Sequence, residues 1–258
     1  DLVNQTVFDI MHKIPMTQYG QGGLLDVLKF EDYLYLSYTV SNKDEKYTTA
    51  IGRGLFVYPY KELKGFEQIF TAKPFYKDSK HFGSRMLIKS RYLFASIGER
   101  GQGSVAQDLD SHAGSIIRIN LDGTVTENPY ENNLNTLPEI FQIGVRNPQG
   151  MTLSPDGEIY ISNHGAKGGD FVGIVDAGKN FGWDKIGWGG TKYTGLKIGS
   201  GEPFLEEFDK PILSWVPSIA PSDIIFYSGN EFSDWEGDLL VTSLKYNMLI
   251  KLKIQDGI

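Results

Sequence analysis

Short apolar runs that end in serine recur along the chain, with polar and glycine-rich stretches between them. The runs occupy residues 32–37, 91–96, 158–162 and 238–243. They begin roughly 60 to 80 residues apart, and their aromatic and β-branched residues show no helical periodicity. Because recurrence of a unit at this spacing is typical of repeat architectures, the pattern predicts repeated β-sheets.

Further candidate strands flank these runs and complete the repeat. Candidate first strands precede them at 23–30, 85–89, 150–153 and 224–227. Candidate third strands follow at 54–58, 115–120 and 249–254, and candidate fourth strands lie at 66–70 and 137–143. Short strands that meet at glycine-rich turns predict an all-β fold, a β-propeller of four-stranded antiparallel sheets, with four repeats as the minimum. A β-sandwich is the alternative, although it does not require a recurring unit.

Polar residues cluster at the two strand ends that a propeller brings to one face. In an antiparallel meander, the start of the first strand and the end of the second lie at the same sheet edge. Gln21, His81, Arg146, Asn147 and Gln149 stand before the first strands, and Glu99, His164 and Lys245 stand after the second strands. We therefore expect a ligand site at this mouth, where β architectures commonly bind small molecules.

Composition narrows the classes of partner. The formal net charge is -7 and no run of Lys or Arg occurs, which argues against a nucleic-acid partner. With 0 Cys, the chain has neither disulfides nor thiolate metal sites. No continuous apolar run of about 18 residues appears, so no membrane span is expected.

Several motifs together carry a family resemblance. They are GVRNPQG at 144–150, HGAKGGD at 164–170, GKNFGW at 178–183 and WVPSIAPS at 215–222. With them, the chain resembles the soluble quinoprotein sugar dehydrogenases of the glucose/sorbosone dehydrogenase family, and in particular its aldose sugar dehydrogenase branch. The motifs extend over nearly the whole chain in the family's order.

The resemblance implies a six-bladed β-propeller that binds pyrroloquinoline quinone (PQQ) and calcium and oxidises the anomeric carbon of an aldose to a lactone. By motif position, His81 is implied as the general base, work that suits an imidazole at neutral pH. Arg146 is implied to stabilise negative charge on the reduced cofactor. The resemblance also implies an artificial or quinone-type electron acceptor, and a periplasmic or secreted location.

The same motif positions imply the remaining ligands. Asn147, Gln149 and Lys245 would hold the quinone, and Gln21 would touch the edge of the sugar or the cofactor. Trp215 would pack against the cofactor, or would instead be a core aromatic residue. The carbonyl groups of Gly165 and Ala166 would face the calcium ion, which prefers oxygen ligands.

Departures from the family pattern leave alternatives open. Ala166 stands where proline is usual, and Phe171 replaces an acidic residue, so the family's second calcium site is not expected. We expect residues 1–258 to form a single propeller domain, a fragment that lacks residues at both ends of a longer protein.

A non-catalytic binding propeller that has lost the cofactor is a second hypothesis for the function. A calcium-dependent lactonase is a third, although it needs carboxylates around the metal, and Glu99 is the main candidate.

Overall fold

A computed structural model of the protein describes residues 7–254, which form four antiparallel β-sheets and two short 3₁₀ helices. Sheet A contains β1 (Leu24–Phe30), β2 (Tyr33–Ser41), β3 (Tyr47–Leu55) and β4 (Lys64–Thr71). Sheet B contains β5 (Gly83–Lys89), β6 (Tyr92–Ile97), β7 (Ser115–Asn120) and β8 (Ile140–Ile143). Sheet C contains β9 (Pro148–Leu153), β10 (Ile159–Asn163), β11 (Asp170–Val175) and β12 (Leu213–Trp215). Sheet D contains β13 (Pro221–Phe226), β14 (Leu239–Ser243) and β15 (Met248–Leu252).

The sheets are arranged with their first strands innermost. β1 packs against β5, β5 against β9, and β9 against β13. Apolar side chains of neighbouring sheets share buried clusters that form the core, such as Ile51 of sheet A with Leu93 of sheet B, and Ile116 of sheet B with Ile161 of sheet C. The all-β prediction is therefore confirmed, while closure into six blades stays a prediction.

The serine that ends each apolar run is buried in all four sheets, and it often reaches the next sheet. Ser37 in sheet A donates a hydrogen bond from Oγ to the carbonyl of Ser84 in sheet B, with an O···O distance of 2.7 Å. Ser96 in sheet B makes the corresponding contact with the carbonyl of Pro148 in sheet C, at 3.4 Å. The serine thus links sheet A to B and sheet B to C, whereas Ser162 Oγ has no partner among the described residues and Ser243 Oγ donates to the Ile219 carbonyl.

Arg85 on β5 contacts the first strands of the three other sheets. Its Nε donates to the carbonyl of Gln149 on β9 at 2.6 Å. Its two Nη atoms lie 3.4 Å from Asp26 Oδ1 on β1 and 3.5 Å from Asp223 Oδ2 on β13. The Asp26 carboxylate also accepts the amide hydrogen of Met86 at 2.9 Å.

Three strands differ from the prediction. The third strand of sheet A is Tyr47–Leu55, and not 54–58, because the apolar residues Val57 and Tyr58 lie in an exposed loop. Glycines interrupt the apolar pattern by which this strand and β11 could have been recognised in the sequence. Gly52 and Gly173 are needed there because the rings of Phe66 and Phe181 fill the space that a side chain would take. β11 and β12 were not predicted.

Two further observations concern membrane-spanning helices and the C-terminal residues. No helix among residues 7–254 is long and apolar enough to cross a membrane. Residues 255–258, whose Asp-Gly-Ile sequence at 256–258 is typical of a turn, lie outside the described residues.

Candidate functional site

Strand pairing brings the predicted polar residues to one mouth. Gly83 pairs with Ile97 at the edge of sheet B, which places His81 beside Glu99. Pro148 pairs with Asn163 in sheet C, which places Arg146 and Asn147 beside the 163–170 loop. A cavity of about 280 Å³ opens there, lined by Gln21, His81, Arg146, Asn147, Gln149 and His164 among others.

His81 and Glu99 form a short, largely buried pair. His81 Nδ1 lies 2.5 Å from Glu99 Oε1, and the side chains are 12% and 3% exposed. Because a carboxylate only accepts, Nδ1 is the ring nitrogen that donates, and in that tautomer of the imidazole Nε2 has the lone pair. Burial raises the pKa of Glu99, but His81, the Gly103 amide and Arg146 together outweigh burial and hold the pKa below its ordinary value.

The backbone of His81 is held in a left-handed conformation, with φ of 54°. Its amide donates to Gln21 Oε1 at 2.9 Å, and its carbonyl accepts the Arg100 amide at 3.3 Å. Gly98 packs directly beneath, where an added Cβ would lie 2.1 Å from the His81 carbonyl oxygen. The imidazole is therefore aimed by its surroundings, since left-handed backbone is unfavourable for a non-glycine residue.

Arg100 clamps the segment that carries His81 from inside the protein. The whole residue is 1% exposed, and its guanidinium lies 3.3 Å from the centre of the Phe82 ring. Its Nη2 donates to the Asp78 carbonyl at 2.6 Å, and its Nη1 donates to the Lys80 carbonyl. Burial lowers the pKa of Arg100 to about 10. This cation is thus held chiefly by carbonyl oxygens and an aromatic ring.

Arg146 and Asn147 are fixed by one amide side chain. Asn163 Oδ1 accepts both of their backbone amides, at 3.0 and 2.9 Å. The Arg146 guanidinium donates to the Gly165 carbonyl at 2.6 Å, and its Nε lies 4.0 Å from Glu99 Oε1. The site therefore places a cation close to the histidine–carboxylate pair.

Asp170 organises the opposite wall. Its Oδ1 accepts the Gly165 amide at 2.7 Å. Its Oδ2 accepts the amides of Ile219 and Ala220, at 2.8 and 2.7 Å, together with the Ser218 hydroxyl. This buried carboxylate joins the loop before β11 to the loop before β13.

His164 adds a second imidazole to the cavity. Its Nε2 lies 2.6 Å from the carbonyl oxygen of Pro221 and donates to it. Burial lowers the pKa of His164 and prevails over the opposing effects of Asp170 and Pro221. His164 is therefore a neutral hydrogen-bonding residue in this wall.

A second cavity, of about 230 Å³, adjoins the first. It shares His81, Arg146 and Tyr193 with the first cavity, and its other lining residues include Lys80, Trp183, Asp184 and Lys192. The Arg146 guanidinium lies 5.4 Å from the centre of the Trp183 ring. The two cavities thus meet at the histidine and the arginine.

Comparison with known proteins assigns the family. The glucose / sorbosone dehydrogenase family profile matches residues 4–258. The chain belongs to the glucose/sorbosone dehydrogenase family. It is 34% identical over 246 residues to the aldose sugar dehydrogenase YliI of Escherichia coli, a match that covers 92% of this chain and 66% of the relative. It is 25% identical over 332 residues to quinoprotein glucose dehydrogenase B of Acinetobacter calcoaceticus, with coverage of 97% and 68%. The chain spans about two thirds of the length of these relatives.

Solved structures of the family have the same fold. A crystal structure of a glucose dehydrogenase superposes with a TM-score of 0.90 at 31% identity, covering 95% of this chain and 73% of that one. The apo-form of the soluble aldose sugar dehydrogenase from Escherichia coli superposes with a TM-score of 0.88 at 30% identity, covering 94% and 75%.

The structure does not bring every predicted site residue into the cavity. Trp215 lies on β12, is partly buried and packs against the cluster of Tyr160, Val172 and Ile224, so its contact with a cofactor stays a prediction. Lys245 lies at the rim, where its Nζ donates to the Ser218 carbonyl at 3.1 Å, and its neighbour Leu244 lines the cavity. Phe171 is buried against Phe181.

Sequence reasoning missed three partners in this candidate site. The pairing of Glu99 with His81, the clamp by Arg100 and the wall formed by Trp183 were not foreseen. The positions of Glu99 and Arg100 could have been predicted. Gly83 pairs with Ile97, so residues shortly before Gly83 and shortly after Ile97 lie side by side. Trp183 follows β11, a strand that was not predicted, so no signal placed it.

The donor set fits a quinone cofactor of the kind implied by the family. PQQ is planar, rich in oxygen and carries three carboxylates, and the larger cavity presents Arg146 with the amides of Asn147, Gln149 and Gln21. Charge-assisted and amide hydrogen bonds are the interactions that such a ligand requires. The volume of this cavity, about 280 Å³, is close to the lower end of the range for small-molecule pockets, about 300 Å³.

The fit to calcium depends on other ligands. Among the described residues, no group of three or more His, Cys, Asp or Glu side chains could hold a metal. The protein ligands that the resemblance implies are the carbonyls of Gly165 and Ala166, and the former already accepts a hydrogen bond from the Arg146 guanidinium. Calcium takes about six to eight oxygen ligands, so a bound cofactor and water would have to supply the remainder.

Proposed function

We propose that the protein is a PQQ-dependent dehydrogenase that oxidises the anomeric carbon of an aldose to a lactone with calcium assistance. The 2.5 Å contact between His81 Nδ1 and Glu99 Oε1, at the junction of the two cavities, carries the proposal. When bound, PQQ supplies a quinone that accepts a hydride. A base that removes the proton of the C1 hydroxyl is then what the protein itself must contribute.

His81 Nε2 is the proton acceptor in this proposal. Glu99 holds the Nδ1 hydrogen, which orients the ring and stabilises the imidazolium after it takes the proton, as carboxylates do for catalytic histidines. Within residues 7–254, no hydrogen bond engages Nε2. The proton of the sugar hydroxyl thus passes to a nitrogen whose other side is already fixed.

Arg146 supplies positive charge at the same point. Its guanidinium is 7% exposed, and it bonds to the Gly165 carbonyl while lying over the Trp183 ring. Because the residue is buried and held by its backbone amide, its charge is preorganised and water screens it little. Asn147 and Gln149 would orient the ligand, since Gln149 Nε2 donates to Asn147 Oδ1 at 3.2 Å and both residues line the cavity.

Lys245 and calcium complete the proposal. Lys245 at the rim would reach a cofactor carboxylate if its side chain left the Ser218 carbonyl. The Gly165 and Ala166 carbonyls would offer two oxygens to calcium. A quinone-type electron acceptor and a periplasmic or secreted location rest on the family resemblance alone.

The test is reconstitution of the purified protein with PQQ and calcium chloride. We expect PQQ to raise the melting temperature, because a ligand that binds only the folded state stabilises it. We expect D-glucose or another aldose to reduce an artificial dye in its presence. His81→Gln should keep the rise in melting temperature while activity falls by about 10²- to 10⁴-fold.

The exposed histidine His12 provides the matched control, and His12→Gln should retain full activity. If PQQ neither raises the melting temperature nor supports dye reduction, the dehydrogenase proposal fails, and the non-catalytic binding propeller is the better description. Full activity of His81→Gln would remove the assigned base.

A further inference from the structure

The second cavity has the chemistry of a carbohydrate site. It combines an aromatic wall of Trp183 and Tyr193 with the charged groups of Lys80, Asp184 and Lys192. Sugars bind such surfaces because their C–H faces pack against aromatic rings while their hydroxyl groups pair with charged side chains. The cavity opens onto His81 and Arg146, where the proposed chemistry takes place.

Trp183 has an unused hydrogen-bond donor. Its Nε1 is buried and has no partner among the described residues. Leaving a buried donor unpaired is unfavourable, by about 1–3 kcal/mol. Because this nitrogen is closed to solvent, a sugar hydroxyl would reach it as an acceptor only after a small movement of the wall.

The charged groups of the cavity form no ion pairs within the described part of the chain. Across residues 7–254, no ion pair involves Lys80, Asp184 or Lys192. Asp184 lies against Gly103, where an added Cβ would come within 2.7 Å of Oδ2. These side chains can therefore bond to hydroxyl groups without first breaking an ion pair.

Tyr193 stands at the tip of a tight turn over the junction of the cavities. The Lys192 amide donates to the Leu196 carbonyl, and the Gly195 amide donates to the Lys192 carbonyl, both at 2.8 Å. Thr191 and Lys167 exchange backbone hydrogen bonds of 2.8 and 3.2 Å, which tie the turn to the residue after Ala166. Tyr193 is 72% exposed although it lines both cavities, so its ring is available to a ligand.

We propose that the second cavity binds the ring of the reacting aldose between Trp183 and Tyr193. Asp184 accepts hydrogen bonds from the sugar hydroxyls, and the Tyr193 turn determines which sugars fit. This inference rests on the proposed function, because it places the C1 hydroxyl beside His81. It assigns sugar recognition to the 183–193 segment, in addition to the residues that carry the chemistry.

The test measures sugar binding apart from turnover. D-glucose is titrated into the cofactor-free and the PQQ-reconstituted protein, and its dissociation constant is obtained by saturation-transfer NMR. Tyr193→Ala should raise the dissociation constant about three- to tenfold, as loss of an aromatic contact does. Asp184→Asn should raise it about tenfold, because it removes a charged acceptor. Trp183→Phe keeps an aromatic ring but removes the Nε1 donor, and it should also weaken binding.

Tyr58→Ala is the matched control, because Tyr58 is 84% exposed in the loop after β3 and should leave the dissociation constant unchanged. In dye assays, Tyr193→Ala should raise KM and leave kcat nearly unchanged. Glucose binding that depends on Tyr193 and Asp184 without any PQQ effect would support this site while the dehydrogenase proposal failed. Unchanged glucose affinity in the Tyr193 and Asp184 variants, or no transfer signal in either form of the wild-type protein, overturns the sugar site.

Discussion

His81 Nδ1 and Glu99 Oε1 lie 2.5 Å apart although the two residues belong to different loops of sheet B. The carboxylate is fixed in turn, because its other oxygen accepts the Gly103 amide at 2.9 Å. The imidazole thereby has a defined donor nitrogen, and its second nitrogen remains available. The proposed base is preorganised before any ligand binds.

Replacement of Glu99 by glutamine tests this arrangement. Glu99→Gln keeps the shape but loses the charge that stabilises the imidazolium, so dye reduction should fall by about 10²-fold or more. The PQQ-induced rise in melting temperature should persist. The surface carboxylate Glu67, which pairs with Arg53, supplies the control variant Glu67→Gln, which should be fully active. Equal activities of the two variants would contradict the assigned role.

The depressed pKa of Glu99 predicts the pH dependence of stability. A carboxyl group whose pKa is lower in the folded state adds stability above its ordinary value of 4.5, and this contribution is lost as the pH falls through the folded value. The free energy of unfolding of wild type should therefore exceed that of Glu99→Gln at neutral pH, and the gap should narrow below about pH 4.5. Urea unfolding across this range measures the gap, and a constant gap would refute the assignment.

Arg100 is predicted to act through the segment that it clamps. Arg100→Lys replaces two separate donor nitrogens with one ammonium on a shorter side chain, so it cannot keep the geometry with which the guanidinium reaches both the Asp78 and the Lys80 carbonyls. We expect a loss of about 1–3 kcal/mol in the free energy of unfolding. Dye reduction measured on folded protein should also fall. Arg91→Lys, at an exposed ion pair, is the control and should change neither quantity appreciably.

Asp170 is predicted to be a structural link between two loops of the mouth. Asp170→Asn removes the charge and turns an NH₂ group towards backbone amides that need an acceptor. We expect destabilisation of about 3 kcal/mol in chemical unfolding, because hydrogen bonds to charged groups are each worth about 1.5–3 kcal/mol. Asp176→Asn, at an exposed position after β11, should be nearly neutral. Similar unfolding midpoints for the two variants would rule out the link.

A pair of glycine variants separates steric from conformational effects. Gly98→Ala would place a Cβ 2.1 Å from the His81 carbonyl oxygen, whereas a Cβ at Gly23 has no atom within 4 Å. Neither residue has a positive φ. Overpacking of this kind costs about 1–3 kcal/mol, so Gly98→Ala should lower the melting temperature and Gly23→Ala should not. Thermal unfolding checks both, and equal tolerance would mean that the His81 loop can shift freely.

Sequence reasoning predicted most of the fold because the apolar runs carry their own signal. β7 matches its expected bounds, and all four second strands were placed with small errors, since they are buried and rich in β-branched or aromatic residues. β11 was missed because Asp170 and Gly173 interrupt its pattern. Tertiary contacts explain why these two residues stand in a strand. Asp170 accepts hydrogen bonds from two loops, and Gly173 leaves room for the Phe181 ring.

The site was predictable in its position and less so in its partners. Strand topology brings His81, Arg146 and Asn147 to one edge, whichever side chains they later contact. Trp215 is a different case, because its motif predicts a ligand contact, while on β12 the partly buried ring also packs against the cluster around Val172. A motif identifies a residue, but only packing shows where its side chain lies.

The contacts of Arg85 affect how cooperatively the four sheets unfold. In arrays of repeats, each unit usually touches only its neighbours, so one unit can open while distant ones stay intact. The Arg85 guanidinium instead joins sheet B to sheets A, C and D at one point. Detachment of any one of them removes a partner from the same partly buried cation, which the remaining sheets then hold by fewer contacts. We therefore expect the inner strands to unfold as one cooperative unit even though their sequences repeat.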